Sequence, residues 1–250
     1  MVEHMVQSRF YKDKLCLNVL AKDIDNAKEI YEVTEGHVLI GLLSTHYQTV
    51  DEAVQDIGEY QKELGGAISL GLGAGDPRQW KIVAEICRTL KLDHVNQVFS
   101  AVGYTRACLQ NETTLVNGLV NPVDQLGYVN VATGPLTSTG TQMEIPLTTA
   151  ISFIKEMGGN SVKLFPLDGL QTREQYKRIA HICAKEDFPL EPTGGIDLQN
   201  FEEIVTIALQ AGVTKVIPHV YSSIIDKDTG RTRVEDVKKL YDIIKRVVVT

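Results

Sequence analysis

The chain has 250 residues, of which 43% are apolar and 23% charged, and a formal net charge of −7. A chain of this size buries about 70–75% of the surface it exposes when unfolded, so its core needs no disulfide or metal staple. The acidic balance and the lack of any basic run longer than two residues argue against nucleic acid as a partner.

Cys16, Cys87, Cys108 and Cys183 form no CxxC pair and match no zinc spacing. They are expected as reduced thiols, at least three of them packing in the core, which suits a cytoplasmic protein. Residues 1–6 show no basic region followed by an apolar stretch, so no secretory signal is expected. No apolar run approaches the ~18 residues of a membrane span.

Short apolar runs alternate with helical segments along the chain. A strand is expected at 16–21, a helix at 24–33 and a strand at 37–44. The helix at 50–64 opens on Thr49 with Glu52 three residues on, the arrangement of a capping box. A strand at 67–73 leads into Gly-Ala-Gly-Asp-Pro, followed by a helix at 78–90 and a strand at 94–99. The region 101–160 is less regular, with strand-like pieces at 115–120 and 128–133 and a helix at 147–157. The alternation then resumes: strand 161–166, helix 172–185, strand 190–193, helix 198–211, strand 214–220 and helix 234–247.

Repeated βα units imply parallel strands and right-handed crossovers. Eight such units over residues 1–250 predict a single-domain (β/α)8 TIM barrel, with an open doubly wound sheet as the alternative. No linker, low-complexity segment or composition shift divides the chain. In a barrel the chemistry lies at the C-terminal ends of the strands. That end should hold 71–76, 163–166, 192–197 and 219–223.

Lys163 sits inside the apolar run Ser161-Val162-Lys163-Leu164-Phe165-Pro166. Burial disfavours an ammonium and leaves more neutral amine, the form that attacks carbonyls to make Schiff bases. The alternative is a lysine near a strand end whose head reaches water. Pro192-Thr193-Gly194-Gly195-Ile196-Asp197 joins a strand to a helix. Gly194 and Gly195 either let backbone N–H groups approach an anion or serve a tight turn, with Asp197 as a cap. Tyr221-Ser222-Ser223 after the last strand either adds donors for that anion or caps a turn. His219 ends the same strand and is either structural or part of the site. Glu191 shares strand parity with Thr193. It is either a carboxylate facing Lys163, as proton shuttle or salt partner, or an exposed residue at an irregular strand end. Arg106, at a helix start, either holds a substrate carboxylate or is solvated. Asn117, Asn121 and Thr133 are further polar liners. Gly71-Leu72-Gly73-Ala74-Gly75 lacks the G-x-G-x-x-G spacing of a dinucleotide loop.

Val162-Lys163-Leu164-Phe165-Pro166 followed one unit later by Pro192-Thr193-Gly194-Gly195-Ile196 resembles the class I aldolases that cleave 2-keto-3-deoxy-6-phosphogluconate and 4-hydroxy-2-oxoglutarate. The likeness is carried by residues 157–225 and is that of a divergent branch linked to glucosaminate-derived sugar acids. The first half matches mainly in the order of its elements. The resemblance implies a (β/α)8 barrel and a Schiff base on Lys163. Phe165 and Pro166 would form the wall beside it, with Thr193 at the substrate carboxylate and Gly194 and Gly195 at the phosphate. It implies no metal or organic cofactor, a small phosphorylated keto acid as partner, and a homo-oligomer, trimers being common in the group. Strand 2 here, His37-Val38-Leu39-Ile40-Gly41-Leu42-Leu43-Ser44, lacks the glutamate and arginine of the better-known members, and the Gly-Gly-Ser loop after strand 8 is absent. Glu191, with His219 behind it, is then the candidate proton shuttle, and Ser222 and Ser223 are candidates for the phosphate. The expected activity is release of pyruvate and glyceraldehyde 3-phosphate from a 2-keto-3-deoxy-6-phosphosugar acid. Alternatives are hydroxyoxoglutarate cleavage, a barrel that binds a phosphosugar acid without cleaving it, and an isomerase or epimerase.

Overall fold

Apolar residues on both sides of each short run call for strands covered on both faces, and helices must supply the outer cover. The computed structural model, which describes residues 8–248, has this arrangement. The strands are β1 (Leu17–Leu20), β2 (Val38–Leu43), β3 (Ile68–Gly71), β4 (His94–Val98), β5 (Leu115–Pro122), β6 (Tyr128–Asn130), β7 (Glu144–Pro146), β8 (Ser161–Leu164) and β9 (Leu190–Pro192). The helices are α1 (Ile24–Val33), α2 (Val50–Glu63), α3 (Trp80–Thr89), α4 (Val102–Leu109), α5 (Leu147–Glu156), α6 (Arg173–Lys185), α7 (Phe201–Ala211) and α8 (Val234–Val247). Residues 1–6, read above for a signal, lie outside the described residues.

Parallel pairing runs β1-β2-β3-β4-β5-β8-β9. The 214–220 run closes the circle without forming a continuous strand, because Pro218 has no N–H to donate. Its neighbours hold both sides: Ile217 N donates to Leu190 O and His219 N to Pro192 O, while Asn18 N donates to Pro218 O and Val220 N to Asn18 O. The fold is a (β/α)8 barrel. The 128–133 piece is no barrel strand. β6 and β7 form an antiparallel extension from the end of β5, with Asn121 opposite Asn130 and Tyr128 opposite Pro146.

Local signals place the elements. Thr49 accepts from Glu52 N as an N-cap should, but the Glu52 carboxylate returns to Gln48 N, one residue upstream of the capping-box position. Among the described residues no helix is long and apolar enough to cross a membrane.

Outward strand residues such as Val19, Ile40, Leu70, Val95, Val116 and Val162 are fully buried beneath the helices. Inside the barrel, Phe10, Cys16, Leu39 and Ile217 form a separate apolar cluster at the N-terminal ends of the strands. Barrel interiors are usually packed with branched apolar side chains. Above the plug this one is polar instead: Asn18, Ser69, His94, Asn96, Asn117, Ser161, Glu191 and His219 are each 2% exposed or less.

Candidate active site

Polar residues at alternate positions of apolar strands face one interior. In β4 they are His94 and Asn96, in β8 Ser161 and Lys163, and in β9 Glu191, followed by Thr193. Above them a cavity of about 340 Å³ is lined by Lys163, Phe165, Thr193, Gly194, Gly195, His219 and Ser222, with Asn96, Asn117 and Tyr221. Seven of the expected site residues therefore converge.

Lys163 stands opposite Leu119 of β5 and Glu191 of β9 in the strand register. Its Nζ donates to Asn96 Oδ1 at 2.8 Å and lies 3.4 Å from His219 Nδ1. Burial lowers the amine to about 8, against an opposing pull from the Glu191 charge. An appreciable neutral fraction is present at neutral pH.

Glu191 lies deeper and is fully buried. Its Oε1 accepts from His94 Nε2 at 3.0 Å and Ser161 Oγ at 2.5 Å, and its Oε2 from Asn117 Nδ2 at 2.7 Å and His219 Nε2 at 2.9 Å. Burial alone would raise this carboxyl. The two imidazoles and their hydrogen bonds outweigh it and hold the group well below the usual carboxylate range.

That one charge sets the direction of every bond around it. His219 Nε2 must carry a proton to serve Glu191. Burial and the Lys163 charge lower the imidazole to about 3, against the pull of Glu191, so the ring is neutral and Nδ1 is a lone pair. Nδ1 points toward Lys163 and toward the Tyr221 hydroxyl at 2.9 Å. His94 likewise gives Nε2–H to Glu191, and its Nδ1 takes a proton bond from Ser69 Oγ at 2.8 Å. Ser69 Oγ accepts in turn from Asn18 Nδ2 and Asn96 Nδ2 at 2.9 and 3.0 Å. His94, Glu191 and His219 bring donor atoms within 4.8 Å of one another, but each facing nitrogen is bonded to a carboxylate oxygen. The trio is a hydrogen-bonded unit.

The loop after β9 explains both glycines. Gly194 has φ 102° and Gly195 φ 67°, a region where a side chain is strained. A Cβ on Gly195 would lie 2.5 Å from Gly169 N. Leu167 N donates to Thr193 O and Gly169 N to Gly194 O, locking the loop after β8 to the loop after β9. The turn and the cavity wall are thus one feature. Pro166 backs it, with its Cα 3.2 Å from a Cβ built on Gly194. Asp197 accepts from Gln199 N and Asn200 N in a turn that delays the helix, so α7 starts at Phe201 rather than 198.

Four expected liners sit elsewhere. Arg106 is in the last turn of α4, and its guanidinium donates to Gly158 O, Asn111 O, Thr114 O and Asn160 Oδ1. Thr114 and Asn160 precede β5 and β8, so Arg106 lies at the N-terminal end of the barrel, away from the cavity. Asn121 donates to Phe165 O and Thr133 to Leu119 O, both as loop braces. Ser223 is tied to Ile196 O at 2.7 Å, leaving Ser222 as the cavity serine. His94, Asn96, Ser69 and Asn18 were not singled out as site residues from sequence, and Tyr221 was read only as part of the Tyr221-Ser222-Ser223 segment that could serve the anion. The polar alternation His94-x-Asn96 in an apolar strand was the available signal.

The C-terminal cavity of this (β/α)8 barrel thus presents a desolvated lysine beside a carboxylate-held histidine. The family model for KDGP aldolase matches residues 11–228, and the chain belongs to that family. A 2-dehydro-3-deoxy-phosphogluconate aldolase from Salmonella typhimurium is 42% identical over 248 residues, spanning 98% of this chain and 100% of its own. A solved structure described as native KDPGal shares the fold at 11% identity and a TM-score of 0.56, covering 94% of this chain and 95% of that one. The tryptophan synthase α-subunit of Pyrococcus furiosus does so at 14% identity and a TM-score of 0.54, covering 94% and 98%. At such identities these two structures speak for the fold alone.

Proposed function

We propose that this chain is a class I aldolase that cleaves 2-keto-3-deoxy-6-phosphogluconate to pyruvate and glyceraldehyde 3-phosphate through an imine on Lys163. The supporting observation is the Lys163 amine, held on the cavity wall between Asn96 Oδ1 and the lone pair of His219 Nδ1. Neutral Lys163 attacks the C2 carbonyl, and loss of water leaves a protonated imine. That imine draws electrons as a base takes the C4 hydroxyl proton and the C3–C4 bond breaks. Reprotonation of the enamine at C3 and hydrolysis release pyruvate. The imine serves as the electron sink, so the reading needs no metal or organic cofactor.

The base is His219 rather than Glu191 acting directly. Glu191 has four donors on its two oxygens and no exposed surface. It holds the His219 tautomer and steadies the imidazolium when Nδ1 gains a proton, the role of the carboxylate in a Ser-His-Asp triad. Among the described residues Lys163 is the only cation lining the cavity. The anionic ends of the substrate therefore fall to neutral donors, for which Thr193, Gly194, Gly195 and Ser222 are placed. A single barrel domain in the cytoplasm, assembled as a homo-oligomer, belongs to the same reading. Four buried free cysteines support a reducing compartment, and the family resemblance supports the assembly.

Borohydride added with pyruvate should fix a pyruvyl mass on the peptide carrying Lys163, and Lys163→Ala should abolish both the adduct and pyruvate release. Cleavage that survives Lys163→Ala but is lost in EDTA would overturn the imine reading.

A further inference from the structure

Tyr221 has one hydroxyl hydrogen and two acceptors. Its oxygen lies 2.9 Å from His219 Nδ1 and 3.1 Å from Asn18 Oδ1. Neither acceptor can turn into a donor. Asn18 is oriented by its Nδ2 bond to Ser69 Oγ at 2.9 Å, and Ser69 gives its own hydrogen to His94. His219 is oriented by Nε2–H to Glu191 at 2.9 Å. The hydroxyl therefore has two positions, toward Nδ1 while His219 is neutral and toward Asn18 once Nδ1 is protonated. Among the described residues the only other donor near Nδ1 is Lys163, at 3.4 Å, and a protonated imine leaves its nitrogen a single hydrogen, for which Asn96 Oδ1 at 2.8 Å is the nearer acceptor. Tyr221 and His219 both line the cavity, but only 2% of His219 is exposed while Tyr221 is partly exposed.

We propose that Tyr221 is the proton relay between the substrate and His219. The inference rests on the aldolase reading above. In the cleavage direction the C4 hydroxyl gives its proton to the Tyr221 oxygen as Tyr221 passes its own to His219 Nδ1. The electron pair freed at O4 becomes the aldehyde C=O, and the C3–C4 pair flows into the imine to make the enamine. His219, now an imidazolium held by Glu191, later returns the proton through Tyr221 to C3 of the enamine. The groups that face this pair are Glu191, Lys163 and Asn18, with His94 beyond the carboxylate.

The test is Tyr221→Phe, which keeps the ring and removes the oxygen. Exchange of the pyruvate methyl hydrogens with D2O, followed by NMR, reads proton transfer at C3 alone. The variant should lose about 100-fold in exchange rate and in kcat, within the usual span for a general acid–base group. KM should stay within about threefold of the parent, and borohydride trapping of pyruvate on Lys163 should persist. Exchange and kcat both close to the parent's would overturn the relay. An absence of adduct in the parent protein would overturn the aldolase reading and the relay with it. Should Tyr221→Phe fold poorly, 3-fluorotyrosine at position 221 keeps the shape and acidifies the hydroxyl. The exchange rate at fixed pH should then change several-fold, and a rate equal to the parent's would count against the relay.

Discussion

The Lys163 amine is held in an environment that favours its neutral form, which is useful for attack and costly for folding. Its folded value near 8 lies below the ordinary 10.5 because burial disfavours the charge. The penalty is full below pH 8, is relieved as the folded amine loses its proton, and vanishes above 10.5, where the unfolded chain is neutral too. Lys163→Met should therefore be inactive yet more stable than the parent by about 1–3 kcal/mol at pH 7. The gain should shrink toward pH 10. Urea unfolding at both pH values checks this, and a loss of stability at pH 7 would sink the desolvation argument. Lys163 was legible in the sequence because a lysine inside an apolar strand is rare and its Phe165-Pro166 neighbours are distinctive. The role of Glu191 was only half legible. Parity gave it the same face as Thr193, but two residues along a strand are about 6.6 Å of depth. That depth places Glu191 below the cavity and His219 on its wall.

At the level of elements, the loops after β8 and β9 act as a pair, and Gly195 is their point of contact. Gly195→Ala would combine a left-handed φ of 67° with a Cβ 2.5 Å from Gly169 N and 2.8 Å from Asp168 C. It should cost about 2–4 kcal/mol and raise KM, as thermal melts and steady-state kinetics would show. An alanine variant with parental stability and KM would mean that the loops move apart freely. The sequence marked this turn through Gly194-Gly195, but not its partner, since the 168–169 contact is made between units. The same limit explains β6 and β7. The 128–133 run read only as a strand-like piece and β7 was not read at all, and pairing with the end of β5 makes β6 and β7 an antiparallel extension. Asp197 likewise looked like a helix cap, whereas its bonds to Gln199 N and Asn200 N form a turn ahead of α7.

On the scale of the whole molecule the barrel divides its labour between its two ends. The C-terminal end carries the cavity, and the N-terminal end is braced by Arg106, whose guanidinium gathers acceptors from Asn111, Thr114, Gly158 and Asn160. Arg106→Ala should therefore lower stability by about 2–4 kcal/mol, because it strands several partly buried acceptors. At temperatures where the variant is folded, kcat/KM should stay within about twofold. A selective rise in KM with parental stability would return Arg106 to the substrate. The βα alternation, the apolar strands, the lysine inside one of them and the glycine turn can be read from the amino-acid sequence, because each rests on local periodicity or on a short motif. Which polar side chains meet depends on the closed barrel. The interior network joins Asn18, Ser69, His94, Asn96, Asn117, Ser161, Glu191 and His219 from six strands and the closing segment, far apart along the chain. Their hydrogen bonds take their direction from one buried carboxylate, and burial depth is a property of the closed barrel.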